Sequence, residues 1–249
     1  MRKILSVIFL CAAIAGCKNE PYPDLPVAVT NLTNHATNVS NTYRYRDQKL
    51  YSFLSISGTD TLAYMRFHYE GDELQNIVTD STRTSLKFTS FYHSEAGVTD
   101  STFLNDATGS HLVSARTVVY DGDGNPSSVR IQTWPDNVLN DQLAELTWDD
   151  GNVVRLTTSD LSTGVKTPVR DVAITHDDQF CVFMKNNNYL FTLSLDELYW
   201  LSKNNPKTFN AGDGTKEKEY TYWYNKLGYP SNFKSETGAL FGAAYRQLF

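Results

Sequence analysis

One pattern recurs along most of this chain: apolar residues alternate with polar ones up to an aromatic, a turn rich in Asp, Gly and Asn follows, and a second alternating run returns. The clearest copies are Met65-Arg66-Phe67-His68-Tyr69-Glu70-Gly71-Asp72, Val118-Val119-Tyr120-Asp121-Gly122-Asp123-Gly124-Asn125, Leu146-Thr147-Trp148-Asp149-Asp150-Gly151-Asn152 and Tyr220-Thr221-Tyr222-Trp223-Tyr224-Asn225-Lys226-Leu227-Gly228-Tyr229-Pro230. Weaker copies sit at Tyr45-Arg46-Asp47, Tyr92-His93-Ser94 and His176-Asp177-Asp178. Apolar side chains two apart, as in Met65, Phe67 and Tyr69, mark a half-buried strand. Asp-Gly and related turns supply the positive φ angles of hairpins.

The first five steps between copies are 23 to 28 residues, and the last, from His176 to Tyr224, is 48. Each ordinary step holds two strands and two turns. Seven copies therefore predict an all-β, antiparallel up-and-down meander of about 14 strands. So many strands do not stay flat, so the sheet is expected to curl or to close partly into a barrel. Within the long last step, Ser194-Leu195-Asp196-Glu197 fits a capping box, with Leu195, Leu198, Tyr199 and Leu201 as an apolar stripe and Asn204-Asn205-Pro206 as its stop. This predicts one short inserted helix, plugging a mouth or packed on the concave face.

The N-terminus carries an address. Met1-Arg2-Lys3, an apolar run from Ile4 to Ile14 and then Ala15-Gly16-Cys17 read as a signal peptide, because the run is shorter than the roughly 20 residues a spanning helix needs. Ile14-Ala15-Gly16-Cys17 resembles the lipobox of bacterial lipoproteins, which makes Cys17 the lipidation site. Residues 1–16 are then the signal and residues 17–42, rich in Pro, Asn and Thr, the lipidated N-terminus and an extended tether. Residues 43–249 form a single hairpin-repeat domain. Lys18 and Glu20 resemble the short charged signal that sends some Bacteroidetes-type lipoproteins to the cell surface, and surface and periplasmic sides both stay open.

Lipobox, tether and Tyr-Asp-Gly hairpins together resemble Bacteroidetes-type lipoproteins with YD-like β-hairpin repeats, a domain of unknown function. Tyr222-Trp223-Tyr224-Asn225-Lys226-Leu227-Gly228-Tyr229-Pro230 is similar to that group's Y-x-Y-x-x-x-G-Y-P stretch. The resemblance implies a fold and an outer-membrane location, held by a lipid anchor. It implies no reaction.

Charge and chemistry narrow the function. With 22 basic against 28 acidic residues, net −6, the chain is no phosphate-tracking nucleic-acid binder. Removing residues 1–16 takes Arg2 and Lys3 and no acid, which moves the net charge to −8. Of three cysteines only Cys181 then stays free, read as a buried thiol in a strand. The five histidines lack zinc spacing, and no serine-hydrolase, nucleotide or dinucleotide motif occurs. His176, in the aromatic's place, reads as a tucked strand-end histidine. No cofactor, metal centre or catalytic residue is expected.

Turns one period apart share an edge, so Asp47, Asp72, Asp121, Asp123, Asp149, Asp150, Asp177 and Asp178 are expected along one rim, where a weak calcium site could form. Trp134, beside Pro135, and Trp223, on the opposite face from Tyr222 and Tyr224, are the expected exposed rings for a ligand. The leading expectation is a lipid-anchored envelope protein that binds or scaffolds without catalysis, its partners the membrane and a glycan or an envelope protein. A glycan-binding accessory of polysaccharide uptake, a carboxylate hydrolase and a lipid carrier are the alternatives. The chain ends in Phe249, as outer-membrane barrels end in an aromatic, but a lipobox is redundant on a spanning chain, which favours a soluble domain on a tether.

Overall fold

The computed structural model describes residues 27–82, 85–95, 97–183 and 187–247. Sixteen antiparallel strands follow one another in chain order: β1 (Val27–Asn34), β2 (Val39–Arg46), β3 (Lys49–Ser57), β4 (Asp60–Glu70), β5 (Glu73–Thr82), β6 (Ser85–Ser94), β7 (Gly97–Asp106) and β8 (Gly109–Tyr120). They continue as β9 (Pro126–Thr133), β10 (Asn140–Asp149), β11 (Asn152–Asp160), β12 (Thr167–Phe180), β13 (Asn204–Ala211), β14 (Lys216–Tyr224), β15 (Pro230–Ser235) and β16 (Leu240–Gln247). Each strand pairs with its sequence neighbours, and β1 pairs with β16, so the sheet is a closed barrel.

The seven repeats map onto the seven hairpins β2–β3 to β14–β15, which accounts for 14 strands. The two beyond that number, β1 and β16, join each other and close the ring. The expected tether therefore needs correction: residues 27–42 belong to β1 and the first half of β2. Their outer face carries Asn31, Thr33, Ser40 and Thr42, joined by side-chain hydrogen bonds, so the segment reads as polar although Val29 is buried. Residues 1–26, with Cys17 and the signal, and Phe249 lie outside the described residues.

The recurring aromatic has a structural cause. Tyr45 donates its hydroxyl proton to the Val29 carbonyl (2.8 Å), Tyr69 to that of Leu50 (3.0 Å), and Trp148 its indole N–H to that of Pro126 (2.7 Å). In the seventh hairpin Tyr222, two before Tyr224, donates to the Pro206 carbonyl (2.6 Å), and Tyr245 on β16, outside the repeats, makes the same contact with the Pro230 carbonyl (2.9 Å). His93 Nε2 lies 2.8 Å from the Leu74 carbonyl, so His93, not Tyr92, fills this place in the third hairpin. Each ring thus reaches an upstream strand and satisfies a backbone carbonyl there. Buried phenols and indoles need such partners.

The long step between the sixth and seventh copies is an insertion. After β12 the chain turns through Cys181–Phe183, buried inside the barrel, and forms two 3-10 segments, Asn187–Thr192 and Leu195–Leu201. The expected helix is present at its expected place but wound as 3-10. Glu197 accepts hydrogen bonds from the Ser194 backbone N–H (3.1 Å) and hydroxyl (2.7 Å). Tyr189, Leu190, Leu198, Tyr199, Trp200 and Leu201 fill the lumen against inward residues such as Tyr43, Phe67, Leu156, Phe209 and Phe233. Cys181 sits in this turn rather than in a strand, fully buried, its thiol donating to the Trp200 carbonyl at 3.4 Å.

The wall's outer face is divided. Over β9 to β14 it carries ion pairs, among them Arg130–Asp141, Arg155–Asp171 and Lys166–Glu145. Over β3 to β8 the pairing places Leu54 beside Tyr64, Val78 beside Phe88 and Phe88 beside Phe103 on that face. No helix among the described residues is long and apolar enough to cross a membrane.

Candidate functional site

The plug enters from the rim of the repeated turns, and two cavities lie beside it toward the opposite mouth. The larger, about 580 Å3, lies between the plug and strands β1 to β3 and β12 to β16. Rings make up much of its wall, among them Tyr43, Phe53, Phe183, Trp200, Tyr220 and Phe233, and Asn41, Asp196 and Glu197 line it too. Many touch edge to face or tilted, as Tyr43–Phe53 at 5.2 Å and Trp200–Phe233 at 5.4 Å between centroids, so the surface is rigid and preset.

Two cations reach this cavity, Arg170 and Lys218. Arg170 donates through Nε and Nη2 to Glu217 at 3.1 and 2.7 Å and stands 3.7 Å from Asp196. Its charge is matched. Lys218 differs: it lies 4.5 Å above the Tyr220 ring centre and 3.4 Å from the Tyr199 hydroxyl, with no carboxylate partner among the described residues. Burial pushes the Tyr43 and Tyr199 phenols well above their ordinary range, so both remain neutral donors in the wall.

The smaller cavity, about 320 Å3, is bordered by β4 to β9 and Phe191 of the plug. Asp100 and Arg116 face it, with Arg116 Nε 3.8 Å from the Asp100 carboxylate. Burial lifts the Asp100 carboxyl to about 6 against the pull of Arg116.

The sequence candidates fare unevenly. Trp134 lies at the β9–β10 connection, its backbone N–H on the Val113 carbonyl, and Trp223 on the outer face of β14 is 48% exposed. They stand at opposite ends of the wall, and neither lines either of these two cavities, so the structure does not bring them together. The acidic turns do share one rim, but their carboxylates are spent locally. Asp121 accepts from the N–H groups of Asp123 and Asn125, Asp72 pairs with Lys49 and Asp150 with Lys203. Asp177 accepts from Gln179 N–H and Tyr224 hydroxyl, and Asp178 from Gln179, while Asp123 and Asp149 face solvent. Among the described residues no three His, Cys, Asp or Glu groups gather as a metal would require. His176 bonds Ser202 Oγ at 3.1 Å, and burial lowers it to about 4.

Sequence reasoning missed Trp200, Lys218, Asp100 and Arg116. Only Trp200 left a signal, lying inside the apolar segment Leu198–Leu201.

Fold and interior together define a class: an up-and-down barrel whose lumen is plugged and largely ring-lined, and whose wall carries ion pairs outside over β9 to β14. No family model and no curated protein matches the chain. Solved structures share the fold, two porin-like proteins among them. A porin-like protein from Bacteroides uniformis ATCC 8492 superposes with a TM-score of 0.53 at 10% identity, over 91% of this chain and 99% of that one. A porin-like protein from Bacteroides vulgatus ATCC 8482 gives 0.53 at 13% identity, over 90% and 100%.

Proposed function

We propose that this chain is a lipid-anchored barrel of the bacterial outer membrane, related to the hairpin-repeat lipoproteins, that binds a small amphipathic ligand with one anionic group and performs no chemistry on it. The likeness to two Bacteroides porin-like barrels and the lipobox at Cys17 support the location. A spanning barrel needs an apolar band around its whole outer circumference and a polar lumen. Here the plug packs rings into much of the lumen, and ion pairs interrupt the outer face over β9 to β14, which supports a soluble domain held by its anchor.

The single observation behind the ligand class is Lys218. An ammonium held over rings without a carboxylate, in a ring-lined cavity, offers one cation to an apolar guest. Catalysis by paired carboxylates has little support in this cavity, because Glu197 is committed to capping and Asp196 faces Arg170.

The test uses the full chain in detergent and Trp fluorescence, with 1-naphthoate, 1-naphthalenemethanol and 1-naphthylmethylamine as probes. Naphthoate should bind at least about tenfold more tightly than the other two, and Lys218→Met should abolish that preference. Equal binding of all three, or a preference that survives Lys218→Met, would overturn the reading.

A further inference from the structure

The smaller cavity carries a separate argument. Asp100 is 5% exposed, yet its carboxylate accepts no hydrogen bond among the described residues. A buried carboxylate without donors is costly, and such groups normally find partners. Arg116 does not fill that need, since Nε is 3.8 Å away, beyond hydrogen-bond reach. Its one hydrogen bond among the described residues runs from Nη1 to the Leu190 carbonyl at 3.2 Å, and its guanidinium lies 5.5 Å from the Phe191 ring centre. The plug therefore holds Arg116 in place.

Around this pair the wall supplies hydroxyls and one apolar side. Thr89 and Thr102 bond each other at 2.8 Å, which leaves lone pairs on both, and Ser114 and Thr79 stand on the same wall. Met65, Ile77 and the edge-to-face rings Phe91 and Phe191, 4.7 Å apart, make the other side. Asp100 calls for donors, and Arg116 offers donors to acceptors. Their opposite charges cancel, and Lys87, which also lines this cavity, is solvent-exposed and so screened, so a charged guest gains little at the buried pair from one partner that it does not lose to the other. Groups that donate and accept at once, carried on a small body with C–H faces, satisfy both partners.

We propose that this second cavity binds one neutral, polyhydroxylated molecule of monosaccharide size, held by Asp100 and Arg116 with its C–H face on Phe91 and Phe191. The volume, about 320 Å3, stands at the small end of ligand pockets. The proposal is independent of the ligand suggested for the Lys218 cavity.

The full chain in detergent is titrated calorimetrically with glucose, galactose, mannose and N-acetylglucosamine, and with glucuronate and glucosamine as charged counterparts. At least one neutral sugar should bind at millimolar concentration or below, ahead of both charged ones. Asp100→Asn and, because that change leaves Arg116 without its counter-charge, also Thr102→Val should each weaken it about tenfold or more. Lys218→Met should leave it unchanged. Absence of binding by every neutral sugar, tighter binding of glucuronate or glucosamine, or full binding by a folded Thr102→Val protein would overturn the proposal. Loss of naphthoate binding alone would strike only the other cavity.

Discussion

A half-buried histidine and a buried aspartate pull the pH dependence of stability in opposite directions. His176 is held at about 4 in the folded chain against 6.5 for the free side chain, so the unfolded state takes up more protons between those values. Its contribution is complete above about pH 6.5 and is lost as pH falls toward 4. Asp100 is raised from 3.8 to about 6, so here the folded state holds the extra proton, and stability is lost as pH rises across that window. Between pH 4 and 6 the two slopes oppose, and their sum in the wild type is shallow. Urea titrations at several pH values should show stability falling more steeply with rising pH in His176→Gln, and rising with pH in Asp100→Asn. Parallel curves for all three proteins would contradict these protonation states. At the same scale, Tyr69→Phe keeps the packed ring and removes the hydroxyl that serves the Leu50 carbonyl. It should cost about 1 kcal/mol in the same titration.

At the scale of hairpins, backbone geometry and the plug set the constraints. The β10–β11 turn passes through Asp150 and Gly151 with φ of 44° and 74°, the paired left-handed geometry that a tight hairpin demands. Gly97 is bound by space as well as by angle: its φ is 144°, and a Cβ there would meet the Val118 carbonyl oxygen at 2.0 Å. Gly97→Ala must displace a neighbouring strand, whereas Gly71→Ala, with φ of 56° and open space, pays only for its backbone angle, about 1 kcal/mol. Melting temperatures should rank wild type above Gly71→Ala and both above Gly97→Ala. The plug is secured by its rings, and Trp200 touches Tyr199, Tyr220, Phe183 and Phe233. Trp200→Ala should cost about 3 to 5 kcal/mol by chemical denaturation and remove much of the wall of the larger cavity.

For the whole molecule the decisive contact is the seam between β1 and β16, paired from Val27 with Gln247 to Asn34 with Phe241. Without it two long edges would face solvent, each a template for another chain. Removal of residues 240–247 should therefore give a protein that elutes as aggregates in size-exclusion chromatography, while Lys234→Ala on the neighbouring strand stays monodisperse.

Periodicity of two, aromatic spacing and turn chemistry are local properties, and they were enough to establish an antiparallel meander, its seven hairpins, the shared acidic rim and the capped insertion. Strand number stopped short at 14 because the closing strands are polar on one face and carry no repeat turn between them. Closure is a contact between residues more than 200 positions apart, and no local pattern encodes it. The cavities were hidden for the same reason. Lys218 sits in a run of charges, Lys216-Glu217-Lys218-Glu219, that reads as a solvated strand, and Asp100 and Arg116 read as surface residues on alternating strands. Only when the wall curls round and the plug enters does the inward half of each strand become a lumen, and only then does burial turn ordinary charged side chains into a site.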